Sequence, residues 1–227
     1  MGNKSIQSNF IDIAPFIHQA ALSPHSSVDA IKQICEMSKQ LGFSGLCTNL
    51  NHLQIARERL GKPNNTKLIA VIAFPFGFTP GSIKQQEAEW AAEKGAEELD
   101  VVPNFFALNA GKEELFAEEL SRICELGLPV RAIIDLPNLT SEKVALAIEA
   151  SIEAGVSGIQ SGNGFGTPAT NFQIQKISGL TKKRCAIKAV GGIKTINHAL
   201  EIIEVGATYI GTSFGKELIE SIKTTRK

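Results

Sequence analysis

Four polar side chains lie in short segments that have the pattern of β-strands. They are Asp100, Arg131, Gln160 and Lys188. Burying a charge is costly unless it is paired, so Lys188 in the run Ala-Ile-Lys-Ala-Val predicts a partner carboxylate, for which Asp100 is the candidate. A lysine with a tuned pKa beside a carboxylate can act as a nucleophile or transfer protons. A purely structural Lys188–Asp100 ion pair is the alternative.

The segments that carry these residues alternate with helical patterns along the chain. We predict eight strands, over residues 9–14, 43–49, 67–74, 97–103, 129–135, 156–161, 185–190 and 207–212. Helical patterns between them include residues 27–41, 82–94, 112–125, 141–154 and 194–205. One strand and one helix for about every 28 residues indicates strands that run parallel.

Two architectures place parallel strands in this order, a doubly wound sheet and a (β/α)8 barrel. A doubly wound sheet would have a glycine-rich phosphate turn after its first strand, whereas the predicted first strand runs into Pro15 and Phe16. Eight units in 227 residues match the size of the barrel. We therefore predict an α/β fold, a single TIM-barrel domain over residues 1–227 with the barrel at about 9–222.

In such a barrel the active site forms at the carboxyl ends of the strands. Residues two apart in a strand share a face, so the inward faces would bring Asp100, Arg131, Gln160 and Lys188 together at that end. This convergence favours a functional role for Lys188 over a purely structural one.

Glycines at the ends of the last two predicted strands indicate the ligand. Gly191 and Gly192 follow the seventh strand, and Gly211 and Ser213 lie at the end of the eighth. Backbone N–H groups at such turns, next to helix N-termini, bind phosphate. We therefore predict a phosphorylated small molecule as the ligand, with the glycine-rich segment 162–166 as a further wall.

Composition argues against several other classes of protein. The 23 basic and 23 acidic side chains leave no basic excess for nucleic acid, and the longest apolar stretch, residues 68–78, is too short for a membrane span. The four cysteines lack the spacing of metal ligands, so we expect no metal and free thiols in a reducing cytoplasm. His18, His25, His52 and His198 fall in predicted loops or helices, where surface or structural roles are expected.

Several short strings occur in an order and spacing typical of one family. They are ID at 11–12, LCTN at 46–49, VIAFPFG at 71–77, GAEELDVV at 95–102, IKAVGGI at 187–193 and GATYIGTS at 206–213. Through them the chain resembles the deoxyribose-phosphate aldolases, class I aldolases built on a (β/α)8 barrel, from about Phe10 to Gly215.

The resemblance implies an aldehyde-lyase of deoxyribonucleotide catabolism. Its reaction is the reversible cleavage of 2-deoxy-D-ribose 5-phosphate to acetaldehyde and D-glyceraldehyde 3-phosphate, without metal or other cofactor. The expected partner is thus a phosphorylated sugar, with no nucleic acid and no membrane, and we expect a homo-oligomer.

The resemblance also implies roles for individual residues. In the family a strand-six lysine forms a Schiff base, a strand-seven lysine lowers the pKa of the first, and a strand-four aspartate takes part in proton transfer. By position Lys188 is the second lysine and Asp100 is the aspartate. Other matched positions are Asp12 and Asn49 near the substrate, and Gly191, Gly192 and Ser213 in the phosphate cradle.

The chain departs from the family at the Schiff-base lysine. The family reads Lys-Thr-Ser-Thr-Gly where this chain has Gln160-Ser161-Gly162-Asn163-Gly164, and a glutamine amide cannot form an imine. The family's strand-five lysine is Arg131 here, and the glutamate near the end of that strand is Asp135.

Three hypotheses follow, of which the family's aldolase reaction is the leading one. In the first, Lys188 itself serves as the Schiff-base lysine. In the second, Asp100 and Lys188 perform acid–base chemistry in a lyase or isomerase without an imine. In the third, the chain binds a sugar phosphate without catalysis. Because Lys188 lacks a like-charged neighbour, we expect it to stay protonated and cleavage to be weak or undetectable. Gln160→Lys should restore some imine formation.

Overall fold

The computed structural model describes residues 12–224, and its centre is a closed barrel of eight parallel strands. Each strand pairs with its neighbours in chain order, and β1 closes the barrel by pairing with β8. The strands are β1 (Ile17–Ala21), β2 (Gly45–Thr48), β3 (Lys67–Ile72), β4 (Glu98–Val101), β5 (Val130–Ile133), β6 (Gly158–Gln160), β7 (Ala186–Val190) and β8 (Tyr209–Thr212).

Helices connect successive strands and cover the outside of the barrel. They are α1 (Val28–Gln40), α2 (Leu50–Leu60), α3 (Gly81–Glu93), α4 (Phe105–Asn109), α5 (Glu113–Cys124), α6 (Ser141–Glu153), α7 (Asn171–Thr181), α8 (Ile196–Glu204) and α9 (Gly215–Thr224). Thr140, Thr170 and Thr195 begin α6, α7 and α8 by accepting a hydrogen bond from a backbone N–H of the first turn. None of the helices described is long and apolar enough to span a membrane.

The main core lies between the strands and the helices. Residues such as Leu68, Ile159 and Ala189 are fully buried there, because helices cover the outer face of the parallel sheet. The alternate residues of the same strands face the barrel interior, so the polar residues singled out in the sequence lie inside the barrel. The barrel prediction is confirmed.

The predicted first strand is the one element in the wrong place. Residues 9–11 lie outside the described part of the chain, and Ala14–Phe16 form a short 3-10 turn that precedes the strand. The strand itself is Ile17–Ala21, whose histidine, glutamine and alanines have weak strand propensity. The other seven predicted strands contain β2 to β8, and the five predicted helical segments correspond to α1, α3, α5, α6 and α8.

Candidate active site

A cavity of about 820 Å³ opens at the carboxyl end of the barrel. Its floor, here called the cavity floor, consists of the side chains of His18, Gln160 and Lys188 from β1, β6 and β7. All three side chains are buried among the strands, so a ligand that reached them would be largely removed from water.

Lys188 is the first member of a row of four alternating charges. Its Nζ donates to Oδ2 of Asp100 at 2.5 Å, and Oδ1 of the same carboxylate accepts from Nε of Arg131 at 2.6 Å. Nη1 of Arg131 donates in turn to Glu98 at 2.6 Å. Lys188 and Asp100 are 2% and 0% exposed. We call these four residues the charged row; its formal charges cancel, which makes their burial tolerable.

The charges in this row determine the ionisation of Asp100. Burial by itself raises the pKa of Asp100, but the positive charges of Arg131 and Lys188 outweigh it and hold that pKa well below its usual range. Burial disfavours the charge of Arg131, yet Asp100 and Glu98 raise the pKa of its guanidinium above the usual value. Asp100 is therefore a fixed negative charge at neutral pH, and its first effect is to hold Lys188 in place.

Two glycines make room for the long cations of the charged row. A Cβ atom at Gly211 would lie 3.0 Å from Cε of Lys188, and one at Gly158 would lie 2.7 Å from Cγ of Arg131. The distance at Gly158 is shorter than real Cβ contacts, and the distance at Gly211 would require Lys188 to give way by a few tenths of an ångström, so the small residue on one strand and the large residue on its neighbour fit as a pair.

Gln160 lies beside Lys188, because the two are paired residues of β6 and β7. Its Nε2 donates to the carbonyl oxygen of Gly162 at 2.7 Å. Its Oε1 is buried and has no hydrogen-bond partner in the described part of the chain. The amide thus presents an unused acceptor at the cavity floor.

His18 is the site residue that the sequence analysis missed. The prediction that it lies on a loop or helix is wrong, since it is a buried residue of β1 that lines the cavity. Its ring stacks on Tyr209, with centroids 4.2 Å apart and planes 24° apart. Burial, and then the positive charges of Lys188 and Arg131, hold the pKa of His18 well below its usual value, so the ring is neutral.

The misplaced first strand explains the error, and Pro15 was the signal that could have prevented it. A proline has no N–H group to donate to a sheet, so it can lie before a strand as readily as after one. Here Pro15 belongs to the 3-10 turn that precedes β1. Once the strand is placed after Pro15, the alternation of side chains puts His18 on the inner face.

The rim of the cavity has the features of an anion site. Gly191 and Gly192 have φ values of 124° and 62°, a conformation that suits glycine, and they precede α8. Ser213 lies just before α9, and the exposed side chains of Lys194 and Lys216 line the same cavity. Two lysines and two helix N-termini favour a negatively charged group there. We call these five residues the anion rim.

The remaining predicted site residues lie elsewhere. Asp100 and Arg131 lie beneath Lys188 and do not line the cavity. Asp12 is exposed ahead of β1 and accepts a hydrogen bond from the backbone N–H of Ala14, while Asn49 begins α2 by accepting one from His52. The structure does not bring Asp12 or Asn49 to this cavity. Within residues 12–224 no group of three or more histidine, cysteine, aspartate or glutamate side chains is arranged to hold a metal ion.

Fold and site together define a (β/α)8-barrel protein whose cavity joins a buried amine to a rim suited to phosphate. Comparison with known proteins narrows this class. The deoxyribose-phosphate aldolase of Trichormus variabilis is 38% identical over 211 residues, which are 92% of each chain. That of Thermococcus gammatolerans is 35% identical over 219 residues, 94% of this chain and 97% of the relative. The chain belongs to the deoxyribose-phosphate aldolase family.

Solved structures agree with this assignment. The aldolase QR15 superposes with a TM-score of 0.90 at 34% identity, covering 96% of this chain and 98% of its own. The deoxyribose-phosphate aldolase of Aeropyrum pernix, described as a unique tetramer, has a TM-score of 0.83 at 27% identity, covering 94% and 92%. No protein-family model matches the chain.

Proposed function

We propose that this protein is an aldehyde-lyase that cleaves a phosphorylated sugar of the 2-deoxyribose 5-phosphate type, with Lys188 as the reacting amine. The observation that carries the proposal is the burial of Lys188 at the cavity floor against Asp100. The other two lysines that line the cavity, Lys194 and Lys216, are exposed at its rim. Membership of the family supports the reaction type.

The reaction then proceeds through an imine on Lys188. The amine adds to the aldehyde carbon, and loss of water gives the imine. A base takes the proton of the C3 hydroxyl group, the C2–C3 bond breaks, and its electron pair moves into the imine to give an enamine and glyceraldehyde 3-phosphate. Protonation of the enamine at C2 and addition of water release acetaldehyde and regenerate the amine.

The charged row makes it costly for Lys188 to lose the proton that it must lose before its amine can add to the aldehyde. With Lys188 protonated the row is neutral, and loss of the proton would leave one negative charge uncompensated in a buried site. We therefore expect slow turnover. The same pairing supports a second candidate function, in which the Lys188 ammonium donates a hydrogen bond to the substrate carbonyl and no imine forms.

Borohydride reduction in the presence of 2-deoxyribose 5-phosphate distinguishes the two candidates. Peptide mass mapping should find the reduced adduct on Lys188, and Lys188→Arg, which keeps the charge but cannot form an imine, should remove it. Lys194→Arg at the rim is the matched control and should leave the adduct in place. An intact protein that binds the sugar phosphate but forms no adduct would exclude the imine route.

A coupled assay of aldehyde release tests whether a second amine beside Lys188 speeds the cleavage of the sugar phosphate. A lysine at position 160 would lie beside Lys188, and because two ammonium groups cannot both stay charged cheaply, one of them would more easily become the free amine. Gln160→Lys should therefore release aldehyde faster than the natural chain, and Lys188→Ala should release none. Strong activity of the natural chain that Lys188→Ala does not affect would contradict the role of Lys188.

We also propose that the phosphate group binds at the anion rim, to backbone N–H groups of Gly191, Gly192 and Ser213. Calorimetry with inorganic phosphate should show weaker binding to Gly192→Glu, which adds both bulk and negative charge. Lys194→Ala, which leaves the loop backbone free, should weaken binding less. Equal affinity of the natural chain and both variants would remove this site.

We propose further that the protein acts in the cytoplasm and as a homo-oligomer. The four unpaired cysteines support a reducing compartment, and the tetramer described for the Aeropyrum pernix relative supports self-association. Phe76 and Phe78 stack at 5.4 Å and are largely exposed, which suits a buried contact between copies. Light scattering should give a mass above that of the monomer, and Phe78→Ser should lower it.

A further inference from the structure

Two polar atoms at the cavity floor have no hydrogen-bond partner among residues 12–224. They are Nδ1 of His18 and Oε1 of Gln160, both buried. Gln19 lines the same cavity but is fully used, because its Nε2 donates to Ser213 and its Oε1 accepts from Gly215. Leaving a buried polar atom unpaired destabilises a protein, so two such atoms in one cavity indicate a ligand that pairs with them.

The two unpaired groups flank Lys188. Gln160 is the paired residue of Lys188 on β6, and Tyr209, on which His18 stacks, is its paired residue on β8. Other unpaired buried atoms, among them Nη2 of Arg131, belong to residues outside the cavity lining. The cavity floor thus has a cationic donor at its centre with a polar group on either side.

The chemistry of these groups specifies what they can pair with. Nε2 of Gln160 is occupied by Gly162, so the amide offers the ligand an acceptor oxygen and therefore requires a donor. The neutral ring of His18 carries one N–H and one acceptor nitrogen. A ligand that places a carbonyl oxygen on Lys188 can satisfy both groups with one hydroxyl group on the adjacent carbon, which donates its proton to Oε1 of Gln160 and accepts from Nδ1–H of His18.

We propose that His18 and Gln160 form a hydroxyl-recognition subsite beside Lys188, which favours sugar phosphates with a hydroxyl group on the carbon next to the carbonyl. The inference rests on the proposed function for the placement of the carbonyl at Lys188. It changes the preferred ligand of the same cavity from 2-deoxyribose 5-phosphate, which lacks this hydroxyl group, to sugar phosphates such as ribose 5-phosphate, which carry it.

Calorimetric titration with these two sugar phosphates tests the subsite. The measured quantity is the ratio of their dissociation constants, compared between variants, so that differences between the sugars in solution cancel. Gln160→Leu and His18→Phe should each reduce the preference for ribose 5-phosphate about tenfold, while inorganic phosphate binds as in the natural chain. His18→Phe preserves a ring that can stack on Tyr209, and His18→Leu replaces it if the phenylalanine variant does not fold.

Gln19→Leu is the matched control, because it makes the same substitution in the same cavity at a glutamine whose polar atoms are all paired. It should weaken both sugar phosphates alike and leave the ratio unchanged. A ratio that stays within about twofold of the natural value in Gln160→Leu or His18→Phe overturns the paired subsite. A borohydride adduct on Lys188 without a change of ratio overturns the subsite alone, and a changed ratio without an adduct overturns only the imine route.

Discussion

Lys84 and Lys188 are both buried lysines hydrogen-bonded to one carboxylate, but they lie in different layers of the molecule. Lys84 lies in the helix layer, where its Nζ donates to Glu119 of α5 at 2.7 Å and to the carbonyl oxygen of Val102 at 2.9 Å. Lys188 lies inside the barrel and has Asp100 as its acceptor. The first ammonium is enclosed by protein, whereas the second adjoins a cavity.

The carboxylates differ as well. Asp100 is shared between Lys188 and Arg131, so it keeps a cation if Lys188 changes. Glu119 has Lys84 as its salt-bridge partner, and loss of Lys84 would leave its carboxylate without one. The comparison teaches that the fold depends less on the lysine in the barrel, because Arg131 still pairs with its carboxylate, than on the lysine in the helix layer.

The largest effect is expected from removing the charge that joins the row. Asp100→Asn leaves Lys188 and Arg131 as two buried cations, with Glu98 paired to Arg131 and no carboxylate of the row on Lys188, and breaking a buried pair costs about 3–5 kcal/mol. Urea unfolding should show a loss of this size in the free energy of unfolding. A loss below about 1 kcal/mol would show that Asp100 is not the joining charge.

Removing each lysine in turn tests the comparison directly. Lys84→Met should cost about 3 kcal/mol of unfolding free energy, because it leaves Glu119 buried and unpaired. Lys188→Met should cost about 1 kcal/mol, because Arg131 still pairs with Asp100. The two variants make the same substitution and can be measured in one urea series. Equal losses would contradict the distinction between the layers.

The smallest effect is a pH dependence that belongs to the cavity floor alone. The pKa of His18 is lowered in the folded protein, so below about pH 6.5 the unfolded chain binds a proton that the folded one does not. The free energy of unfolding should therefore fall as the pH falls, by about 1 kcal/mol between pH 7.5 and 5.5. His18→Phe should flatten this slope, whereas Lys84→Met and the exposed-site control His25→Phe should keep it.

The polar residues within regular strands could be predicted from the sequence, and those outside a clear strand signal could not. Asp100, Gln160 and Lys188 could be identified because each lies in a strand that was predicted in the right place, where alternation puts its side chain on the inner face. The segment Ile17–Ala21 lacks branched residues after Ile17, and its pairing with β2 and β8 comes only from closure of the barrel. Tertiary context therefore determined the position of His18, and local propensity gave no sign of it.

The partners of Arg131 in the charged row could not be predicted from the sequence either. The strand pattern predicted the pairing of Lys188 with Asp100, which the structure contains, but it also predicted that Arg131 would lie with them at the open end of the barrel. The space left by Gly158 instead lets Arg131 lie across the barrel interior and bind both Asp100 and Glu98. A strand pattern reports which face a side chain takes, but not how far a long side chain reaches along it.

The close approach of Gly211 to Lys188 makes the history of one position depend on the other. A methyl group at 211 would lie 2.6 Å from Cγ2 of Val190 and 3.0 Å from Cε of Lys188, so a larger residue can enter there only once both neighbours have shortened or moved. Among relatives, a residue larger than glycine at 211 should therefore occur only in chains that also differ at 188 and 190. The three positions should change together across the family, a record that can be read from sequences alone.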